Sequence, residues 1–198
     1  MNKIKNVCIF ASSSDYIDNE YFIHAEKLGI LLGKSGYNIV YGGSELGLMG
    51  KITLKAKENG SEITGVMPER LRNLGINQGP CTKFIVTKGM RERKAKMDEI
   101  SDAVIALPGG FGTLEELSEM IVQKQLGYNN KPIILLNTKN YYDNLICFFK
   151  EIIYSKFASK ESDKLYYVAQ IPDDAVNFLQ NYNGENINYL KDKIKINL

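Results

Sequence analysis

Apolar residues occur along this chain in short β-branched runs that alternate with longer segments of helical periodicity. Six runs predict strands, NVCIF, YNIVYGG, EITGVM, KFIVTK, DAVIALPGG and KPIILLN, and LYYVA is a candidate for a seventh. Between the first two runs, Phe22, Ala25, Leu28 and Leu32 recur at helical spacing, and Gly36 follows where a helix C-terminal glycine is expected. The alternation predicts an α/β fold, in which helices cover both faces of a doubly wound parallel sheet.

The rest of the pattern predicts five further helices and one long loop. The helices fall over residues 48–58, 91–100, 113–126, 142–154 and 174–181. Residues 68–82 contain two prolines, two glycines and two asparagines, so we expect a loop there. No internal repeat or linker interrupts the chain. We therefore expect a single domain over residues 1–182, followed by a polar, lysine-rich tail over residues 183–198.

The amino-acid composition limits the kinds of partner that this protein can bind. The 198 residues are 44% hydrophobic, enough for a substantial core, and 25 basic side chains nearly balance 23 acidic ones, which disfavours a polynucleotide partner. No apolar run approaches the roughly 20 residues of a membrane-spanning helix. Cys8, Cys81 and Cys147 lack metal-ligand spacing, and the first residues show no cleavable signal pattern. We expect a reduced cytoplasmic protein without a membrane partner.

The stretch IALPGGFGTLEELSEM places a glycine-rich loop between a predicted strand and a predicted helix. Gly109, Gly110 and Gly112 leave no Cβ to block an approaching anion, and Thr113 can cap the helix or donate its hydroxyl. Free N–H groups at a helix start favour a phosphate group. The loop is equally compatible with a simple tight turn that leads into a capped helix, so by itself it does not decide between the two interpretations.

A second glycine cluster, YGGSELGLMG, follows the second predicted strand. Gly42, Gly43, Ser44 and Gly47 should reach the same sheet edge, because the carboxyl ends of parallel strands meet there. Two such loops indicate a ligand of nucleotide size. The spacing matches neither the dinucleotide fingerprint nor the P-loop, so a dinucleotide or a magnesium-bound triphosphate is disfavoured.

The basic run GMRERKAKM begins another predicted helix at the end of a strand. A solvated basic face is the commoner fate of such a run. However, Arg93 and Lys94 lie near the helix start, where positive charge opposes the helix dipole and an anionic ligand would offset that penalty. The guanidinium of Arg93 also has the planar fork that suits phosphate or a leaving group with developing negative charge.

The sequence PGGFGTLEE, with Arg93 and Lys94 ahead of it, resembles the LONELY GUY family, whose signature is PGGxGTxxE with an upstream Arg-Lys pair. The YGGSELGLMG loop is similar too, and the resemblance covers about residues 5–154. It implies a Rossmann-like fold, a homodimer, and hydrolysis of the N-glycosidic bond of nucleoside 5′-monophosphates, including cytokinin riboside monophosphates, to free base and ribose 5-phosphate. Some members were formerly labelled lysine decarboxylases. The resemblance implies neither a metal nor a cofactor.

Roles of individual residues follow from the same resemblance. The resemblance assigns catalysis to Arg93 and Glu116, and binding of the 5′-phosphate to Gly110, Gly112 and Thr113. The full set expected to bind or shape the substrate site is Gly43, Ser44, Lys94, Gly109, Gly110, Gly112, Thr113 and Glu115. The competing interpretation of Glu116 is a first-turn glutamate that the helix dipole favours without any catalytic role.

The chain also departs from the family pattern. Ala11 replaces a glycine in FASSSD, where Ser12 or Ser13 can still reach a ligand, and Val122 and Gln123 replace a common Thr-Trp pair, a change that concerns the base pocket. His24, the single histidine, lies on a predicted amphipathic helix and is expected to pack or to lie at the surface. Cys8 lies inside a predicted strand and is expected to pack rather than react.

Two other functions remain open at this point. A binding module would hold a nucleotide without cleaving it, and phosphotransfer ranks third because no metal-carboxylate arrangement with a phosphate-gripping lysine loop is visible. The helix LEELSEMIVQKQL has enough apolar surface for either core packing or a dimer contact.

Overall fold

The computed structural model of this chain describes residues 4–76 and 78–184. From position 185 onward, the expected polar tail lies outside these residues. Seven strands form one parallel sheet in the order β4-β3-β2-β1-β5-β6-β7. They are β1 (Asn6–Phe10), β2 (Asn38–Tyr41), β3 (Ile63–Pro68), β4 (Lys83–Thr87), β5 (Ala103–Ala106), β6 (Ile133–Leu136) and β7 (Tyr167–Ala169). Each predicted run, including LYYVA, therefore contains a strand.

Helices connect these strands on both faces of the sheet. They are α1 (Asn19–Lys34), α2 (Gly47–Glu58), α3 (Glu69–Asn73), α4 (Met90–Glu99), α5 (Phe111–Gln125), α6 (Asp143–Tyr154) and α7 (Pro172–Asn181). Two short 3-10 turns lie at Thr138–Asn140 and Lys160–Lys164. No helix in the described part of the chain is long and apolar enough to cross a membrane.

Several of the sequence-based boundaries were wrong, and two of them bear on the site. The expected loop over residues 68–82 begins with ordered structure, because Pro68 ends β3 and the good helix formers of the ERLRN segment form α3 directly after it. The helix expected from residue 113 begins at Phe111 instead. Gly110 occupies its N-cap, where no side chain accepts a hydrogen bond, so Thr113 lies inside the helix and does not cap it.

The core has two layers because successive strand residues point to opposite faces. In β1, Val7 and Ile9 pack into the layer formed with α1, α2 and α7, whereas Cys8 and Phe10 pack into the layer formed with α4, α5 and α6. The expected doubly wound α/β fold is confirmed. Cys8 is fully enclosed as expected, and burial raises the pKa of its thiol far above the ordinary value.

The strand order reverses at β1, and this reversal positions the candidate site. The chain winds outward through β2, β3 and β4 on one side of β1 and through β5, β6 and β7 on the other. Ligands of open α/β sheets bind at such a switch point, beyond the carboxyl ends of the strands. Here the loops after β1 and β5 stay adjacent, since Leu107 N–H donates to Phe10 O at 2.8 Å and Ser12 N–H donates to Pro108 O at 3.2 Å.

Candidate active site

A cavity of about 470 Å³ opens at this switch point, over the carboxyl ends of β1, β2 and β3 and beside the start of α5. Its polar side is formed by the loop after β1, the loop after β2 and the first two turns of α5. The described polar and glycine residues that line it are Ser12, Ser13, Ser14, Gly42, Ser44, Arg93, Gly110, Gly112, Thr113 and Glu116. The two glycine loops thus meet at one cavity.

The serine loop after β1 packs tightly against the start of α2. Ser12 O accepts from Leu48 N–H at 3.0 Å, and Gly47 N–H donates to the Asp15 carboxylate at 3.0 Å. Gly47 has a φ of +57°, and a Cβ there would lie 2.5 Å from Ser12 O, so only glycine fits. Gly47 therefore serves the close approach of two backbone segments rather than contact with a ligand.

The glycines of the loop between β5 and α5 divide into two groups. Gly110 and Gly112 line the cavity, and a Cβ at either position would meet no described atom within 4 Å, which leaves open space for a ligand. Gly109 is different, because its Cβ would lie 2.2 Å from Thr113 Oγ1. Gly109 is absent from the described cavity lining, and its role is close packing against α5.

The loop after β2 shows the same division. Ser44 is buried and lines the cavity, and its Oγ accepts from Leu46 N–H at 3.2 Å. Gly43 lies behind the lining with a φ of +82°, where a Cβ would lie 3.0 Å from the Phe84 ring and 3.3 Å from Met67. The backbone turn itself therefore requires Gly43, whereas Ser44 can meet a ligand.

Arg93 of α4 and Glu116 of α5 form a buried ion pair in the cavity wall. Their side chains are 10% and 8% exposed, and an Arg93 guanidinium nitrogen lies 3.1 Å from Glu116 Oε1. Arg93 Nε also donates to Val66 O at 3.2 Å. A Cβ on Gly42 would lie 2.3 Å from Arg93 Nη2, so this glycine lets the guanidinium reach the cavity.

The electrostatics of Glu116 differ from those of a surface glutamate. Burial removes water from the carboxylate and raises its pKa above the usual range, while the nearby Arg93 charge lowers that pKa by a smaller amount. Glu116 is also the sixth residue of α5, beyond the first turn. Its interpretation as a first-turn glutamate favoured by the helix dipole was therefore wrong, since the dipole effect falls off within that turn.

Lys94 and Glu115 lie on the outer side of the same two helices. The Lys94 ammonium forms ion pairs with Glu115 and, at 2.6 Å, with Glu119, and these hydrogen bonds raise its pKa. Neither Lys94 nor Glu115 is among the described residues that line the cavity. Their ion pairs join α4 to α5 and thereby support the positions of Arg93 and Glu116.

An apolar wall completes the cavity and was missed by sequence reasoning. Beyond the end of β1, its side chains are Leu46, Met49, Met67, Leu71 and Ile76, which come from the loop after β2, α2, the end of β3, α3 and the segment after it. Met67 at a strand end and Leu46 beside the second glycine loop were available as signals. Leu71 and Ile76 were not, because the segment that carries them was expected to be a loop.

The residues at which the sequence departs from the family pattern lie in different parts of the structure. Val122 is half-exposed and lies with Phe149 and Ile152 in a groove between α5 and α6, away from the described cavity lining. His24 is half-buried, with Nδ1 2.8 Å from Thr138 Oγ1, and thus links α1 to the turn after β6. Within residues 4–76 and 78–184, no group of three or more His, Cys, Asp or Glu side chains is arranged to hold a metal ion.

A seven-stranded parallel sheet with a ligand-sized cavity at its switch point defines a Rossmann-like α/β protein. A family model described as "possible lysine decarboxylase" matches residues 49–179. The chain is 36% identical over 181 residues to a cytokinin riboside 5′-monophosphate phosphoribohydrolase of Arabidopsis thaliana, covering 91% of this chain and 85% of the relative. It is 34% identical to the corresponding enzyme of Oryza sativa subsp. japonica, over 91% of this chain and 75% of that protein. The chain belongs to this family, the LONELY GUY or lysine-decarboxylase-like family.

Solved structures support the fold independently. The molybdenum cofactor binding protein from the phototrophic bacterium Rippkaea orientalis superposes with a TM-score of 0.68 at 22% identity, over 91% of this chain and 98% of that one. The molybdenum cofactor carrier protein of Chlamydomonas reinhardtii gives a TM-score of 0.67 at 20% identity, over 89% and 96% of the two chains. At this level of identity the similarity concerns the fold alone.

Proposed function

We propose that this protein hydrolyses the N-glycosidic bond of nucleoside 5′-monophosphates, either AMP or a cytokinin riboside 5′-monophosphate, to the free base and ribose 5-phosphate. The observation that carries the proposal is the buried Arg93–Glu116 pair in the wall of a cavity that also contains the open glycines of α5. The names of the Arabidopsis and rice relatives describe the same reaction.

The cavity offers separate surfaces for the parts of such a substrate. The first N–H groups of α5 have no intrahelical acceptor, and the helix's own hydrogen bonding starts with Leu114 N–H donating to Gly110 O at 3.1 Å. A 5′-phosphate bound there contacts Gly110, Gly112 and Thr113. The base then lies against the apolar wall, and the ribose spans the distance between them, beside Glu116.

The reaction breaks the bond between ribose C1′ and a base nitrogen, and a water oxygen takes the place of that nitrogen on C1′. Positive charge develops on the sugar as the bond breaks, and the Glu116 carboxylate stabilises it or orients the attacking water. Arg93 steadies the negative charge that develops on the departing base, which takes up a proton as water adds. Burial of both groups strengthens these interactions, because little water screens them.

The test is release of base from defined nucleotides. Purified protein is incubated with AMP, isopentenyladenosine monophosphate and the matching nucleosides without phosphate, and the products are separated by chromatography. We expect release from the monophosphates only. Glu99→Gln and Arg91→Ala serve as matched controls for Glu116→Gln and Arg93→Ala, since both control residues are exposed on α4 and outside the described cavity lining.

The outcome also separates catalysis from binding alone. If the parent protein binds AMP tightly but releases no base from any nucleotide, the hydrolase proposal fails and the binding module gains support. Equal turnover of nucleosides with and without phosphate would contradict the assignment of the glycine loop to a phosphate.

We also propose that the protein is a homodimer, as the family resemblance implies, and that it is cytoplasmic, as its cysteines and first residues led us to expect. In support of the homodimer, α6 contains no buried residue and exposes large apolar side chains that a partner could cover. Phe148 is 60% exposed and Tyr154 is 83% exposed. The helix LEELSEMIVQKQL packs Leu117 and Met120 into the core but leaves Val122 half-exposed beside α6. Light scattering at micromolar concentration tests the assembly, and a monomer would refute it.

A further inference from the structure

Three consecutive backbone carbonyls between β5 and α5 accept hydrogen bonds from outside the glycine loop. Leu107 O accepts from the Tyr142 hydroxyl at 2.6 Å, and Gly109 O accepts from the Tyr141 hydroxyl at 2.5 Å. Between them, Pro108 O accepts from Ser12 N–H at 3.2 Å. The carbonyl directions of the whole segment that leads into α5 are therefore fixed by other elements.

Fixing a carbonyl also fixes the N–H group of the same peptide. The described peptides contain no cis bond, and in a trans peptide the C=O and N–H groups point in opposite directions. Tyr141 thus fixes the direction of Gly110 N–H by holding Gly109 O. This restraint matters because the peptide lies between two glycines, which otherwise leave its rotation nearly free.

The two tyrosines are themselves held in place. Tyr142 is 4% exposed, and its backbone N–H donates to Asn137 Oδ1 at 2.7 Å. Before them, Lys139 and Asn140 adopt left-handed φ angles of 56° and 58°. This sharp turn places both tyrosine side chains against the loop between β5 and α5. The ring of Tyr141 contacts that of Tyr142 edge-on, with centroids 5.1 Å apart.

We infer that Tyr141 and Tyr142 are positioning residues that hold the glycine loop in the geometry required by the 5′-phosphate of the substrate. The inference rests on the nucleotide-binding part of the proposed function. The glycines give the loop access to an anion, and the tyrosines supply the order that glycines lack. Because the donors are set before the ligand arrives, the phosphate does not have to organise them.

The role predicts a specific kinetic signature. Neither tyrosine is among the described residues that line the cavity, so loss of a hydroxyl leaves the reacting groups unchanged. A phosphate held equally in the ground state and the transition state contributes uniform binding, which changes KM and not kcat. A tyrosine with a general structural role would instead lower the melting temperature and the active fraction.

The decisive variant is Tyr141→Phe, because Tyr141 is 46% exposed and water can satisfy Gly109 O once the hydroxyl is gone. Calorimetric titration with ribose 5-phosphate, and with AMP in a Glu116→Gln background where turnover is slow, measures Kd, and steady-state base release measures KM and kcat. We expect Kd and KM to rise ~5- to 10-fold with kcat within ~2-fold of the parent. Tyr16→Phe is the matched control, since Tyr16 is fully exposed and outside the described cavity lining.

Tyr142→Phe provides a second measurement. It should raise Kd similarly but also lower the melting temperature, because the buried Leu107 carbonyl loses its donor. Parental affinity in Tyr141→Phe would overturn the inference, as would a fall in kcat and melting temperature without a change in Kd. If the parent binds AMP but releases no base, the hydrolase proposal fails while the Kd comparison stands. If it binds neither ligand, both proposals fail.

Discussion

Two sets of ion pairs join helices α4 and α5, and they lie in opposite environments. Arg93 pairs with Glu116 in the cavity wall, with both side chains at or below 10% exposure. Their neighbours in sequence, Lys94 and Glu115, pair on the outer side, where the Glu115 side chain is 55% and the Lys94 side chain 17% exposed. Successive helix residues differ by about 100° in direction, so the next residue on α4, and the preceding one on α5, points away from the cavity.

The comparison shows what burial adds to the same charge chemistry. At the surface, water screens the attraction and the pair contributes little beyond holding the helices together. In the cavity wall, the paired charges have lost most of their water and the pKa of Glu116 is raised. A ligand in the cavity would interact strongly with them, because little water screens the attraction. We therefore expect the proposed chemistry to depend on the inner pair.

The strongest test of this difference is the amide substitution of adjacent glutamates. Glu116→Gln keeps the shape of the side chain but loses its charge, and we expect turnover of AMP to fall at least ~100-fold. Glu115→Gln should lower it by less than ~3-fold, because that carboxylate lies on the outer side. Adenine release measures both, with melting temperature as the folding control. Near-parental turnover in Glu116→Gln would remove its catalytic role.

The free energy of unfolding should also respond more to the loss of Arg93 than to the loss of Lys94. Arg93→Ala leaves a buried carboxylate without its partner, which we expect to cost about 3 kcal/mol of unfolding free energy at neutral pH. Lys94→Ala should cost at most about 1 kcal/mol, because its partners are partly solvated. Urea denaturation measures both values. Equal losses would show that the environments are energetically alike.

A smaller effect on KM is expected from valine substitutions of a glycine inside the cavity lining and of one outside it. Gly112 lines the cavity and Gly89 lies outside its described lining, and a Cβ at either position meets no described atom within 4 Å. Gly112→Val should raise the KM for AMP ~10-fold or more by crowding the phosphate, whereas Gly89→Val should leave it unchanged. Unaltered binding and cleavage by Gly112→Val would mean that the phosphate lies elsewhere.

The smallest predicted effect concerns pH. Burial raises the pKa of Glu116, so a reaction that needs its carboxylate should lose activity on acidification at a higher pH than an ordinary glutamate would allow. Arg93 opposes that shift, and its removal should move the acidic limb of kcat/KM further upward in the residual activity of Arg93→Ala. If the acidic limb of kcat/KM lies at the same pH in Arg93→Ala as in the parent, the titrating group is not Glu116.

Much of this site could be anticipated from local patterns. The strand runs and the glycine loops that follow them are contiguous in sequence, and parallel strands bring their carboxyl ends to one edge. The family signature singled out Arg93 and Glu116, and the structure brings the two within 3.1 Å. The start of α5 was misplaced by two residues, because Phe111 and Gly112 have no strong helical preference and tertiary packing decided the boundary.

The layered α/β fold follows from the sequence alone, because period-two and helical patterns are local properties that each segment carries. Tertiary packing fixed the geometry by which Glu116 enters the cavity and Glu115 stays outside it, because that geometry depends on the rotation of α5 against the sheet. It also decided the apolar wall and the tyrosine contacts to the glycine loop. Those features join residues from separate elements, and their contact energies exist only after the chain has packed.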